Sequence, residues 1–302
     1  MTANNMSRRR FLVVGTGTAA AGPALAACGD DSGNGSGDNG AKEGAVPPAS
    51  ASPQASGSGT TTQCVLTANA TEGPYYLDDA LVRQDITEGK QGVPFRLRLT
   101  VQDTTASCAA VAGAAVEIWH CDAWGYYSGF TTASPGGGVP AENTDGSSAN
   151  DRTYLRGYQV AGADGVVEFT TIVPGWYTPR VMHIHVKVHT GGAQQDGTYE
   201  GGKVNFTGQL FFPDSLGEEV FPLAPYNRHS GTPTKLDGDS VYGGGGASDG
   251  LMTVTPVQAA TPSAGYVGTL TLGVDTTKEN SGAGGPGGGP PGGGGDSGGG
   301  RG

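Results

Sequence analysis

Between Tyr177 and His185 this chain places a phenol, a guanidinium (Arg180) and two imidazoles (His183 and His185) within nine residues. Met182, Ile184, Val186 and Val188 alternate with His183, His185 and Lys187, and a period of two marks a strand with one face in a core. Residues two apart on a strand point the same way, roughly 6.5–7 Å apart, so the two imidazoles can converge on one ion. Histidine is the commonest metal ligand, but a pair fixes only two positions and leaves zinc, copper and iron open. Taken alone, a His-x-His pair reads as the solvated face of a sheet, and the remaining donors have to come from elsewhere in the chain.

The elements around this strand are short and extended. Phe95, Leu97, Leu99 and Val101 alternate with Arg96, Arg98 and Thr100; Val116 to His120 reads as another strand, running into Cys121-Asp122-Ala123-Trp124-Gly125-Tyr126-Tyr127. Residues 157–160 and 166–170 flank Ala163-Asp164-Gly165, where Asp-Gly predicts a hairpin. Residues 204–212 and 266–272 supply two more strands, and a Gly/Ser/Asn/Asp-rich loop occupies 131–151. No segment carries a long 3.6-residue apolar period. The pattern predicts an all-β fold, an antiparallel β-sandwich core with long connecting loops.

Composition divides the chain into four parts. Ser7-Arg8-Arg9-Arg10-Phe11-Leu12 resembles a twin-arginine signal, and the apolar run after it ends in Leu25-Ala26-Ala27-Cys28, which resembles a lipobox. Residues 1–27 are therefore expected to be a signal peptide, with Cys28 lipidated and held at a membrane surface. That makes the protein extracytoplasmic, a cell-surface or periplasmic lipoprotein. Residues 28–62 lack large apolar side chains and read as a disordered tether; 276–302 read as a Gly/Pro-rich disordered tail. The span 63–275 is left to build one domain.

The formal charge of −11 becomes −14 once the signal segment leaves, because its only charges are three arginines. So acidic a body argues against nucleic acid as a partner. With Cys28 used as anchor, Cys64, Cys108 and Cys121 remain. The strand between Cys108 and Cys121 holds them too far apart for a bridge, so Cys64 pairs with Cys108 or with Cys121.

Five segments together resemble the intradiol ring-cleaving dioxygenases, the non-haem iron(III) family of the catechol and protocatechuate dioxygenases. They are Thr71-Glu72-Gly73-Pro74-Tyr75-Tyr76, Ile118 to Tyr127, Thr171-Ile172-Val173-Pro174-Gly175-Trp176-Tyr177, Arg180 to His185, and Thr207-Gly208-Gln209-Leu210-Phe211-Phe212. The resemblance implies Fe(3+) bound by Tyr127, Tyr177, His183 and His185, with Tyr177 and His185 axial. Spacing from Gly125 selects Tyr127 over Tyr126. It also implies that Tyr177 takes a substrate proton, that Arg180 stabilises charge on the ring, and that Gln209 is a second polar group beside the substrate. Tyr75 and Tyr76 read as pocket wall, His120 as structural, His189 and His229 as surface residues.

The implied activity is cleavage of a catechol-type diol between its two hydroxyl-bearing carbons by O2, giving a cis,cis-muconate-type product. Two other readings are a non-catalytic transthyretin-like binding module and a copper or zinc site on the histidines. Only five residues separate Tyr177 from His183, and the helical region that precedes the domain in catechol-type enzymes is missing, so the identity of the diol and the oligomeric state stay open.

Overall fold

The computed structural model describes residues 64–78, 80–130 and 152–280. The signal segment and Cys28, the tether, the loop at 131–151 and the tail beyond residue 280 lie outside the described residues. Two sheets pack face to face. The first contains β1 (Pro94–Asp103), β2 (Ala109–Ala110), β5 (Val166–Ile172), β8 (Thr253–Pro256) and β9 (Tyr266–Val274). The second runs β4 (Arg156–Val160), β3 (Ala115–Trp119), β6 (His183–Gln195), β7 (Thr198–Phe211). One short helix, α1 (Asp214–Val220), follows β7.

The alternation in β1 works as its sequence implies. Phe95, Leu97, Leu99 and Val101 are fully buried against Val116, Ile118, Ile184, Val186, Val188 and Phe206 of the second sheet. Burial of a large apolar side chain is worth about 1.5–3 kcal/mol, and this shared layer is the main core. The pairing is antiparallel except at β1 and β9, which run parallel from Phe95↔Tyr266 to Asp103↔Val274.

Two local expectations are corrected. The Asp164-Gly165 turn does not close a hairpin: β4 ladders onto β3 and β5 onto β1, so this turn carries the chain from one sheet to the other. The long hairpin is instead β6–β7, with Gln195 opposite Thr198 across Asp196-Gly197. His189 is also not a surface residue. It is buried, with Nε2 3.3 Å from the Glu117 carboxylate and 3.4 Å from the Tyr158 hydroxyl.

His189 shows what is unusual about the second sheet: both faces are covered. Every residue from His183 to His189 is buried. The outward face carries Glu117, Trp119, His183, His185, Lys187, Thr207 and Gln209, all buried. The segment before β1 lies over it, with Ala70 N–H donating to Thr207 O and the Gln209 amide to Thr71 O. Several of these polar groups find partners, Lys187 pairing with Glu72 at 2.6 Å, while Trp119 Nε1, His185 Nδ1 and Thr207 Oγ1 have none among the described residues.

The cysteine choice is resolved. Cys64 and Cys108 form the disulfide, with Cα atoms 5.6 Å apart, and Cys121 is a buried free thiol. At the other end, Asn205 donates to Thr276 O and Lys278 O, and Asn280 N–H donates to Val204 O. The chain therefore stays bound to β7 through residue 280.

His120 is enclosed between Cys121 O and Thr171 Oγ1, each 2.7 Å away. Burial pushes its pKa down from 6.5 to about 4. Between those values the unfolded chain binds a proton that the folded protein refuses, so stability falls as pH drops through that window. The loss reaches about 3 kcal/mol at pH 4. Urea unfolding at pH 7.5 and pH 4 should show His120→Gln losing about that much less stability than the parent.

Candidate metal centre

Two turns and one strand deliver the candidate donors. Tyr127 ends a turn built on Asp122, whose carboxylate accepts the N–H groups of Trp124 and Tyr126 at 2.9 and 3.1 Å. Tyr177 begins a turn closed by Arg180 N–H donating to its carbonyl at 2.7 Å. His183 and His185 open β6, where His185 sits between Trp119 of β3 and Gln209 of β7.

Glycine lets the two tyrosine turns touch. A Cβ on Gly125 would lie 2.5 Å from Trp176 O, and one on Gly175 would lie 2.5 Å from Ala123 O. Gly125 also has φ +90°, a left-handed conformation that side chains resist. Gly125→Ala is expected to combine about 1 kcal/mol of backbone strain with about 1–3 kcal/mol of overpacking. Thermal unfolding and metal content measured together should both fall.

The four side chains converge. Tyr127 Oη is 3.3 Å from Tyr177 Oη, 3.4 Å from His183 Nε2 and 3.2 Å from His185 Nε2. Tyr177 Oη is 3.3 Å from His183 Nε2, and the two imidazole Nε2 atoms are 3.2 Å apart. Donors about 2 Å from a shared ion, at 90–120° to each other, sit roughly 2.8–3.5 Å apart. Five of the six pairs meet that spacing. The sixth, Tyr177 with His185, makes no such contact among the described residues. Tyr126, the competing phenol, packs instead into the main core.

The electrostatics favour a cation. Burial raises the pKa of Tyr127 well above its ordinary value and raises that of Tyr177, although Arg180 opposes the rise at both. Burial lowers His183 to about 3 and holds His185 well below its ordinary value, with the His183 and Arg180 charges adding to the effect there. Left alone, these are uncharged groups with lone pairs crowded on one another. A bound cation would favour the phenolate and neutral imidazole forms. His183 Nδ1 is 2.6 Å from Val181 O, which assigns its proton to Nδ1 and leaves Nε2 free to ligate. His185 Nδ1 has no partner among the described residues; its ring is held by stacking on Trp119, centroids 4.8 Å apart at 8°.

These residues fit a hard, highly charged ion. Among the described residues no group of three His, Cys, Asp or Glu could hold a metal, so the protein donors nearest to His183 and His185 are the two phenols. Phenolate oxygen is a hard donor, which weighs toward iron(III) over copper(I) or zinc.

Around the donors stands an aromatic wall. Tyr75 stacks on Tyr127 at 4.7 Å and meets Phe130 and Tyr177 edge-on. Arg180 lies beside it, donating through NH2 to Gln209 Oε1 and through Nε to Asp239 Oδ2 at 2.8 Å. Asp239 was not foreseen. Its carboxylate is fully buried and also accepts the N–H groups of Val181, Val241 and Tyr242 at 2.8–2.9 Å. Burial pushes its pKa up, but Arg180 and these hydrogen bonds outweigh that and hold it below the usual carboxylate range. Nothing in the local sequence marks it, because its partner is 59 residues away.

A family model described as Dioxygenase matches residues 71–218, a span that contains all four donors, Arg180 and Gln209. Catechol 1,2-dioxygenase 1 of Acinetobacter lwoffii is 34% identical over 116 residues, 37% of this chain and 32% of its own length. The chain thus spans about a third of that curated relative. An intradiol ring-cleavage dioxygenase from Tetranychus urticae superposes with a TM-score of 0.58 at 27% identity, over 72% of this chain and 98% of the other. A second dioxygenase structure gives 0.58 at 26%, with the same coverage.

Proposed function

Since the chain belongs to the intradiol ring-cleavage dioxygenase family, we propose that it cleaves a catechol-type diol between its two hydroxyl-bearing carbons. The second substrate is O2, both of whose atoms enter a cis,cis-muconate-type product. The observation that carries this reading is the meeting of two phenols and two imidazoles at 3.2–3.4 Å.

In this reading Tyr127, Tyr177, His183 and His185 hold one Fe(III) ion. Bound there, such an ion would supply Lewis acidity toward the diol and the one-electron chemistry that reaction with O2 requires. Tyr177 sits on the turn and not on the strand, so its side chain can move without disturbing β6; in its phenolate form it would accept a proton from the incoming diol at Oη and become the neutral phenol. Arg180 faces the negative charge that builds on the ring and its oxygens, held in place by Asp239. Gln209, whose carbonyl oxygen is committed to Arg180 and whose amide is committed to Thr71 O, fixes the arginine fork from the other side. Tyr75 and Phe130 give the ring an apolar wall and keep water from the donors.

The test is direct. Iron-loaded protein is expected to be red-brown from phenolate-to-iron charge transfer, and to take up one O2 per catechol while a muconate absorbance appears. Oxygen uptake at the blank rate in coloured protein would reject ring cleavage, and colourless protein carrying zinc or copper would reject the iron site. From residues 1–28 we further propose export by the twin-arginine route and a lipid anchor at Cys28, tested by radiolabelled palmitate incorporation in the parent and in Cys28→Ala.

A further inference from the structure

A second line of aromatic residues leads away from the donors. Trp119 lies flat on His185, and Tyr76 follows, its ring centroid 5.0 Å from Trp119. Trp119 is buried, whereas Tyr76 is partly exposed. The Tyr76 hydroxyl is 3.2 Å from Glu117 Oε2 and 3.2 Å from Asp78 Oδ1. Glu117 is itself buried and accepts from Tyr158 at 2.8 Å. The indole N–H of Trp119 has no hydrogen-bond partner among the described residues.

We propose that Trp119 and Tyr76 form a one-electron path from the metal site to the surface, through which the iron-loaded protein reduces hydrogen peroxide at the expense of diphenols that never enter the buried site. The proposal rests on the iron reading above. The direction of the path follows from where protons can go. An oxidised indole becomes a neutral radical only by losing its N–H proton. With no acceptor at hand, Trp119 stays a radical cation, a strong oxidant that draws an electron from its neighbour.

Tyr76 differs, because its O–H already points at a carboxylate. It can give up an electron and pass its proton to Glu117 in one step, ending as a neutral phenoxyl radical. Lys187 reinforces this: its Nζ lies 3.3 Å from the Tyr76 ring centroid, and a cation over the ring face disfavours positive charge on the ring. Loss of the proton with the electron removes that conflict. The hole therefore stops at Tyr76.

The balance is two electrons per peroxide. Hydrogen peroxide takes two electrons and two protons and leaves as two waters. Each electron is drawn through Trp119 from Tyr76; the proton Tyr76 loses goes to Glu117 and on to solvent, and peroxide takes its two protons from solvent. Each time, a diphenol at the surface returns a hydrogen atom to the Tyr76 oxygen and departs as a semiquinone. Two diphenols are oxidised for each peroxide reduced.

The experiment is freeze-quench electron paramagnetic resonance of iron-loaded, red-brown protein after mixing with hydrogen peroxide. The expected result is a tyrosyl radical whose signal narrows in protein carrying ring-deuterated tyrosine. Tyr76→Phe should abolish it, and Trp119→Phe should lower its yield at least tenfold per bound iron. Tyr76→Phe alters a partly exposed residue, so the test does not depend on a core variant folding. A radical of equal yield in Tyr76→Phe, or none in coloured parent protein, would overturn the path. Parent protein that never develops the visible band would remove the iron reading and this proposal with it; the missing colour distinguishes that failure from loss of the path alone.

Discussion

Tyr177→Phe should leave the protein folded and iron-bound but weaken its visible band and lower kcat/KM for catechol by about 10²–10⁴-fold, the usual contribution of a positioned proton acceptor. The ring is conserved in the substitution, so its packing against Tyr75 and His183 survives. Only the hydroxyl is lost. Its partners, Tyr127 Oη and His183 Nε2, each keep other neighbours within 3.4 Å, so no buried polar atom is stranded. The loss should therefore appear in substrate binding and the spectrum, while unfolding midpoints stay close to the parent. Absorption spectra, stopped-flow binding and steady-state oxygen uptake on one preparation check this. An unchanged band with unchanged kinetics would take Tyr177 out of the donor set.

Arg180→Ala should do the reverse to the spectrum, keeping the colour while turnover falls by about 10²–10³-fold, as when one preorganised donor is removed from developing charge. It also strands Asp239, whose side chain is fully buried and whose only ion-pair partner among the described residues is Arg180. Removing one member of a buried pair costs about 3–5 kcal/mol, so the variant needs a stability check beside its kinetics. Arg180→Lys separates the two effects. Lysine restores a charge near Asp239 but is a single point donor, unable to span Asp239 and Gln209 as the guanidinium fork does. It should recover most of the stability and little of the turnover. Oxygen-uptake kinetics and urea unfolding on the three proteins decide it; normal turnover in Arg180→Ala would assign Arg180 to structure.

The centre was legible in sequence because its donors lie in short motifs. Period-two geometry puts His183 and His185 on one strand face, while Tyr127 and Tyr177 come from the resemblance of their segments to the family's motifs, with the distance from Gly125 favouring Tyr127 over Tyr126. Features fixed by distant chain were not legible. Asp239 reaches Arg180 across 59 residues from a segment of ordinary Asp and Gly turns. His189 continued the polar face of β6 and so read as exposed; its burial depends on Glu117 and Tyr158, which arrive on two other strands. The two Asp-Gly turns make the same point. Turn chemistry specifies that the chain reverses, but ladder partners decide whether the flanking strands pair with each other. Asp196-Gly197 closes a hairpin and Asp164-Gly165 changes sheets.

The parallel pairing of β1 with β9 has a consequence for how this protein is made. A ribosome releases β1 long before β9, and β1 lies between β5, which arrives first, and β9. Until residues 266–274 emerge, one full length of the central strand offers open backbone bonds above an apolar row. A nascent chain, or one clipped ahead of Tyr266, is expected to associate with its own kind along that edge. Completion of the sandwich therefore waits for β9, the last strand among the described residues, and vectorial assembly from the amino end is closed to it.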